Sequence, residues 1–295
     1  MESVPYDKRS GKIWFNGKTV DWADANIHIL NHGLHYASCV FEGERVYEGK
    51  IFKLEEHTER FFKSAEIIGI EIPFTKDEII TAKNELVKKM NFKDCYVRPL
   101  AWRGGEQMGI STTNSNINVA IALWDDWASY FKIEDRKAGL KLITSPWKRP
   151  APDTAPHQAK ASGPYIICTM SKEFAEKKGY HDALMLDYRG YVAEGTGANI
   201  FFIKNNDIHT PTPDCFLNGI TRQAVIKMTT EQGFQITERH ILPDEINNYD
   251  EAFLTGTAAE ITPVRSIDSV NFQTGENTKT FKFMSDFSDL VNNTN

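Results

Sequence analysis

Lys160 stands in HQAKASGPY, just after a proline-rich stretch and just before an apolar helical pattern. A lysine held partly out of water has a depressed pKa and serves as a nucleophile or Schiff-base former. Taken alone, it reads better as a surface lysine. EGTGAN, Glu194 to Asn199, lies between two strand patterns. Its glycines, one residue apart, permit unusual dihedrals and close approach of a ligand. A carboxylate beside them can hold a protonated heteroaromatic nitrogen, or be incidental to a glycine-rich turn. In GITRQAVIKM, Gly219 and Thr221 sit where a helix begins, and helix N-termini offer amide donors to a phosphate. Ordinary capping by Thr221 competes with that reading. TGTAAEITPVR combines small residues with the hydroxyls of Thr255 and Thr257, which suits an anion nest or a tight turn. Arg60, in EEHTERF, is either a cation for the same anion or a helix-surface arginine.

Together these are the parts that pyridoxal phosphate chemistry needs. The aldehyde needs a lysine, the ring nitrogen needs an acid that keeps it protonated, and the phosphate needs amides, hydroxyls and a cation. HQAKASGPY, EGTGAN, NGITRQAV and TGTAAEITPVR resemble the signature blocks of the class IV aminotransferases, the fold-type IV pyridoxal phosphate enzymes. IWFNGKTVDWADANIHILNHGLHYASCVFEG and CYVRPLAW fit the same family, nearest its bacterial branched-chain amino acid branch. The resemblance spans about residues 11–290.

The resemblance implies roles position by position. Lys160 resembles the lysine that bonds the cofactor and later moves the proton between substrate and cofactor. Glu194 resembles the partner of the ring nitrogen, and Tyr165 the tyrosine that hydrogen-bonds the ring hydroxyl. Arg60, Ile220, Thr221 and Thr257 resemble the phosphate cup, with Gly256 beside it and Leu217 and Gly219 among the cofactor contacts. Asn199 takes a supporting role beside Glu194. Substrate positions match at Thr257 and Ala258, whose amides would bind the α-carboxylate with help from Tyr96. Tyr36, Phe41, Trp127 and Tyr130 match an apolar pocket, although on residue type alone they read as core or interface aromatics. Arg98, with the hydroxyls of Tyr36 and Tyr130, matches the group that binds glutamate's distal carboxylate.

The activity so implied is transfer of an amino group between leucine, isoleucine or valine and 2-oxoglutarate. D-Amino acid transaminases, amine transaminases and aminodeoxychorismate lyases share the lysine and the glutamate, and they form the alternative. Three departures stand out: Arg103 and Glu106 in WRGGEQMG, and Glu44 after VFEG. If these charges face the pocket, substrate preference shifts; if Arg103 and Glu106 pair at the rim, it does not.

The elements that must position these residues are legible in outline. Strands over 13–16 and 19–22 flank Asn16-Gly17, a strong hairpin dipeptide. A similar pair over 45–53 turns on Glu48-Gly49-Lys50. Phe61, Phe62, Ala65 and Ile68 recur at helical spacing up to Gly69, and a second helix covers about 76–90. Strands follow near 95–102 and 117–124. The charged, aromatic stretch from Asp125 to Lys137 is the expected connection between domains. Four prolines between Ser145 and Lys160 predict a structured loop rather than a helix or inner strand. Beyond it, hairpins are expected over 183–194 and 199–210, with helices over 164–178, 221–232 and 278–291. The resemblance turns this outline into a two-domain α/β (α+β) fold. A small domain covers 1–124, a connecting loop 125–136, and a larger domain with a barrel-like sheet 137–295.

Composition excludes other classes. The 295 residues carry 34 Lys+Arg against 40 Asp+Glu, a net charge of -6, which leaves no basic footprint for nucleic acid. No apolar run reaches the roughly 18 residues of a membrane helix, and MESVPYDKRSGK lacks a signal peptide's apolar core. Cys39, Cys95, Cys168 and Cys215 are far apart, so they predict reduced thiols in a cytoplasmic protein, not a zinc site or disulfide framework. The expected partners are small amino acids, 2-oxo acids and further copies of the chain.

Overall fold

The computed structural model describes residues 4–125 and 133–293, which fall into two compact units. One holds 4–125 and 159–163; the other holds 133–158 and 164–293. Trp127, Tyr130 and most of the expected connecting loop lie outside the described residues.

In the first unit, β1 (Lys12–Phe15) and β2 (Lys18–Asp21) turn on Asn16 and Gly17, at φ 47° and 86°. Those positive dihedrals are what a tight hairpin needs, and asparagine and glycine tolerate them. The short helix α1 (His32–Tyr36) precedes β3 (Cys39–Phe41), β4 (Glu44–Tyr47) and β5 (Lys50–Ile51). The long strands β6 (Cys95–Arg103) and β7 (Ile117–Trp124) complete a seven-stranded sheet, ordered β2-β1-β7-β6-β4-β5 with β3 also on β6. Helices α2 (Leu54–Ile67) and α3 (Lys76–Met90) pack Phe61, Ala65, Ile79 and Leu86 against Val40, Val97 and Val119. α3 starts where Thr75 and Glu78 cap each other reciprocally. Because side chains alternate along a strand, Cys95 and Val97 of β6 go to this core while Tyr96 and Arg98 take the opposite face. Phe41 pairs with Leu100 and shares that second face.

Residues 159–163 join this unit as an extended strap on β3. Ala161 bridges Val40, the Phe41 amide donates to the Lys160 carbonyl at 3.0 Å, and the Ser162 amide donates to the Cys39 carbonyl at 2.9 Å.

The second unit begins with α4 (Ile133–Ala138), a helix inside the stretch expected to be a loop. β8 (Leu140–Arg149) then runs well into the proline-rich stretch. It pairs in parallel with β9 (Asp182–Asp187) as far as Thr144 and resumes at Lys148. Pro146 falls in that register shift, where its missing N–H breaks no ladder bond, so an inner strand tolerates it. Helix α5 (Tyr165–Lys177) connects β8 to β9. β10 (Val192–Glu194), β11 (Asn199–Lys204) and β12 (Asp207–Pro211) follow as hairpins. Helix α6 (Ile220–Glu231) leads to β13 (Gln235–Arg239), parallel to β12. Last come β14 (Glu251–Gly256), β15 (Glu260–Ile267), β16 (Val270–Asn271) and α7 (Lys279–Asn292). The order β10-β9-β8-β15-β14-β11 is closed by β10 pairing with β11, which makes a six-stranded barrel. Leu140, Leu142, Leu184, Ile200, Leu254 and Val264 belong to one core cluster. Among the described residues no helix is long and apolar enough to cross a membrane.

Candidate active site

In the first unit, α2 turns His57, Arg60 and Ser64 to one side, since residues three and four apart share a helix face. The Ser64 hydroxyl accepts the Lys160 amide at 2.9 Å, and the Lys160 ammonium lies 4.8 Å from the Phe41 ring centre. The lysine predicted to be chemically active is therefore fixed on both sides of its backbone. Burial and the Arg60 guanidinium pull its pKa down to about 8, with Glu42 opposing them. A fully buried carboxylate, Glu42, sits beside these groups. Arg60 donates to it through Nε at 2.6 Å and Nη2 at 2.8 Å, and His57 Nδ1 lies 2.7 Å from its Oε2. Burial alone would raise the Glu42 pKa, but Arg60 and His57 outweigh it and hold the carboxyl well below its usual range.

Arg98 and Tyr96 stand two apart on β6 and share its second face with Phe41. The Arg98 guanidinium carbon lies 4.8 Å from the Phe41 ring centre and 5.3 Å from that of Tyr96. Its Nε is buried and has no hydrogen-bond partner among the described residues, the condition of a donor suited to an incoming anion. Gly43 makes room for this arrangement: a Cβ there would lie 2.0 Å from the Tyr96 hydroxyl oxygen. Tyr36 stands exposed at the end of α1, its ring 4.7 Å from that of His32.

In the second unit, Glu194 ends β10 and Asn199 starts β11, paired across the turn EGTGAN. The Asn199 side-chain amide donates to Glu194 at 3.3 Å and to the Leu217 carbonyl at 3.0 Å, and its Oδ1 accepts the Gly219 amide at 3.1 Å. Asn199 thus ties the carboxylate to the start of α6. Gly219 is the N-cap of α6 without a side-chain cap, so capping by Thr221 is corrected: Thr221 lies inside the first turn, buried. A Cβ at Gly219 would lie 2.3 Å from Asn199 Oδ1, which explains the glycine. Arg149 faces Glu194 at 3.4 Å; burial works against its charge, but Glu194 together with Cys168, Tyr165 and Cys215 outweighs burial and its pKa rises. Tyr165 is the first residue of α5. Gly256 ends β14, and Thr257 and Ala258 form the tight turn into β15, all partly buried.

Glu42, His57, Ser64 and Arg149 escaped the sequence reading. Only α2's spacing carried a signal, since His57, Arg60 and Ser64 share a face with Phe61. The charged departures are also located. Glu44 is wholly buried and paired with the equally buried Lys83 at 2.6 Å. Arg103 donates to the Gly69 carbonyl, and Glu106 accepts the Asn116 amide at 3.0 Å, so each answers to local backbone. All four cysteines are free; burial pushes Cys95 and Cys215 up to about 12 and Cys168 to about 11, against thiolate chemistry.

Known proteins resemble the chain over most of its length. The model of the family described as Amino-transferase class IV matches residues 39–267. A Rickettsia felis protein named probable branched-chain-amino-acid aminotransferase is 43% identical over 271 residues, 92% of each chain. The solved branched-chain amino acid aminotransferase of Escherichia coli superposes with TM-score 0.91 at 36% identity, covering 96% of this chain and 95% of that one. A solved branched-chain amino acid aminotransferase from T.th. with pyridoxamine 5'-phosphate also gives 0.91, at 37% identity and with the same coverage.

Proposed function

The chain belongs to the class IV aminotransferases, and from that membership we propose that it moves an amino group between branched-chain L-amino acids and 2-oxoglutarate. The cofactor is pyridoxal 5'-phosphate, which when bound supplies an electron sink for the substrate α-carbon. The reading is carried by Lys160: strapped to β3, pinned by Ser64, with a pKa of about 8. At neutral to mildly basic pH its Nζ is uncharged often enough to attack a carbonyl carbon and then to carry a proton to and from the α-carbon.

The family resemblance assigns the other donors to the same group. Glu194, steadied by Asn199 and Arg149, keeps a proton on the ring nitrogen. Tyr165 would hydrogen-bond the ring hydroxyl. By the resemblance, the amides at the start of α6, Thr221, Thr257 and Arg60 would serve the phosphate. Thr257 and Ala258 take the α-carboxylate, and Arg98, with its buried Nε, takes the distal carboxylate of glutamate. Phe41 and Tyr96 give a leucine-like side chain an apolar wall. We place the enzyme in the cytoplasm, where four free thiols stay reduced, and we read it as a homo-oligomer. Ile27, Ile29, Leu30, Leu34, Met108 and Ile110 stand exposed on the first unit, and such apolar area suits a second copy.

The test is the visible spectrum of purified protein on adding L-leucine or D-alanine. Loss of the yellow colour with L-leucine alone, and its return with 2-oxoglutarate, is the expected result. Bleaching by D-alanine alone moves the assignment to a D-amino acid enzyme. Colour that neither amino acid changes points to a lyase or amine transaminase. Protein that stays colourless with added pyridoxal phosphate overturns the cofactor.

A further inference from the structure

Glu42 has no part in the roles above, yet it is the most completely engaged carboxylate of the first unit. It is fully buried, and a carboxylate there is costly unless paired and hydrogen-bonded. It accepts both atoms of one edge of the Arg60 fork, contacts His57 Nδ1 and takes the Gly43 amide at 3.3 Å. Its own amide is bonded to the Pro99 carbonyl at 2.8 Å. Stability alone does not require such a pair, because well-packed apolar residues of similar volume do as well or better.

We propose that Glu42 is a positioning residue: it fixes the direction of the Arg60 guanidinium for a phosphate and offsets its charge beside Lys160. The inference rests on reading Arg60 as part of the phosphate grip. An arginine fork has two usable edges. Glu42 takes the Nε–Nη2 edge, so a second anion must meet the end-on edge, and the direction of that edge is set by Glu42. A long side chain fixed in advance loses little entropy when the anion arrives. The tripeptide Phe41-Glu42-Gly43 thereby serves three groups at once. Phe41 holds the Lys160 carbonyl, Glu42 holds Arg60, and Gly43 clears Tyr96. The neighbouring pair makes the contrast. Glu44 and Lys83 pair with each other, Lys83 also donates to the Thr58 hydroxyl, and neither belongs to the donor set.

The experiment compares full-length wild type, Glu42→Gln and Arg60→Lys, each stripped of cofactor, for binding of pyridoxal phosphate and of pyridoxal, which lacks the phosphate. For Glu42→Gln the expected result is a Kd for pyridoxal phosphate raised about tenfold to a hundredfold, as loss of a charge-assisted contact implies. The Kd for pyridoxal stays within about twofold. Weakening of both ligands alike, or of neither, overturns the proposal. If Arg60→Lys loses the preference for phosphate and Glu42→Gln keeps it, positioning by Glu42 fails while the Arg60 reading stands. If Arg60→Lys keeps the preference, both fail. Should Glu42→Gln not fold, Glu42→Asp keeps the charge but shortens its reach. The same selective loss is expected from it, and an unchanged preference overturns the proposal.

Discussion

Glu42 in the first unit and Glu194 in the second are both buried carboxylates beside an arginine, and they are held differently. Glu42 takes a two-pronged fork at 2.6 and 2.8 Å with His57 at 2.7 Å. Glu194 meets Arg149 at 3.4 Å and Asn199 at 3.3 Å, both long for hydrogen bonds. A carboxylate clamped at short range serves its clamp. One held by long contacts can tighten onto an incoming cationic N–H with little rearrangement, as preorganised sites do. Burial beside an arginine therefore does not by itself define a carboxylate's job; the length of these contacts separates the two.

The comparison breaks if the two residues respond alike to loss of charge. Glu194→Gln is expected to lower turnover about 100- to 10,000-fold, measured by single half-reactions at saturating cofactor. Glu42→Gln is expected instead to cost about 3–5 kcal/mol of stability, with turnover at saturating cofactor far less affected. Acid sharpens the contrast. Because the Glu42 pKa is depressed on folding, its contribution is complete above the unfolded value of about 4.3 and fades as pH falls towards the folded one. The gap in melting temperature between wild type and Glu42→Gln should therefore be widest near neutrality and shrink in acid; a constant gap contradicts the ion-pair account.

Glu44 and Lys83 supply the control. Either single apolar replacement should cost about 3–5 kcal/mol, whereas Glu44→Leu with Lys83→Met should be neutral or gain about 1–4 kcal/mol. Denaturant titration of the three variants decides it. A double variant as unstable as the singles would mean that the pair does more than fill space. Gly43→Ala is the smallest change, costing about 1–3 kcal/mol by overpacking. Since the clash is with the Tyr96 hydroxyl, Tyr96→Phe in the same chain should recover part of it.

Much of this was legible in the sequence where chemistry is local. The range of α3 followed from apolar spacing, and the first hairpin from Asn16-Gly17; the Thr75–Glu78 cap went unread. Lys160, Glu194 and Asn199 were marked by compact blocks and by the family resemblance. What escaped depends on distance in the chain. Glu42 meets His57 and Arg60 only once β3 lies against α2, and Arg149 meets Glu194 only once β8, β9 and β10 align. Pro146 misled because a register shift is invisible before strands pair. β13 was missed because its residues are half-buried or exposed and carry no apolar alternation.

The barrel has a seam. Its last closure, β10 against β11, is a single registered pair, and that pair is Glu194 with Asn199. On the proposed reading, the carboxylate that partners the ring nitrogen and the asparagine that supports it thus also join the two ends of the barrel sheet. Amide exchange at Gly195 and Asn199 should slow on loading more than anywhere else in the barrel, so that the protein's slowest-exchanging state is also its working state.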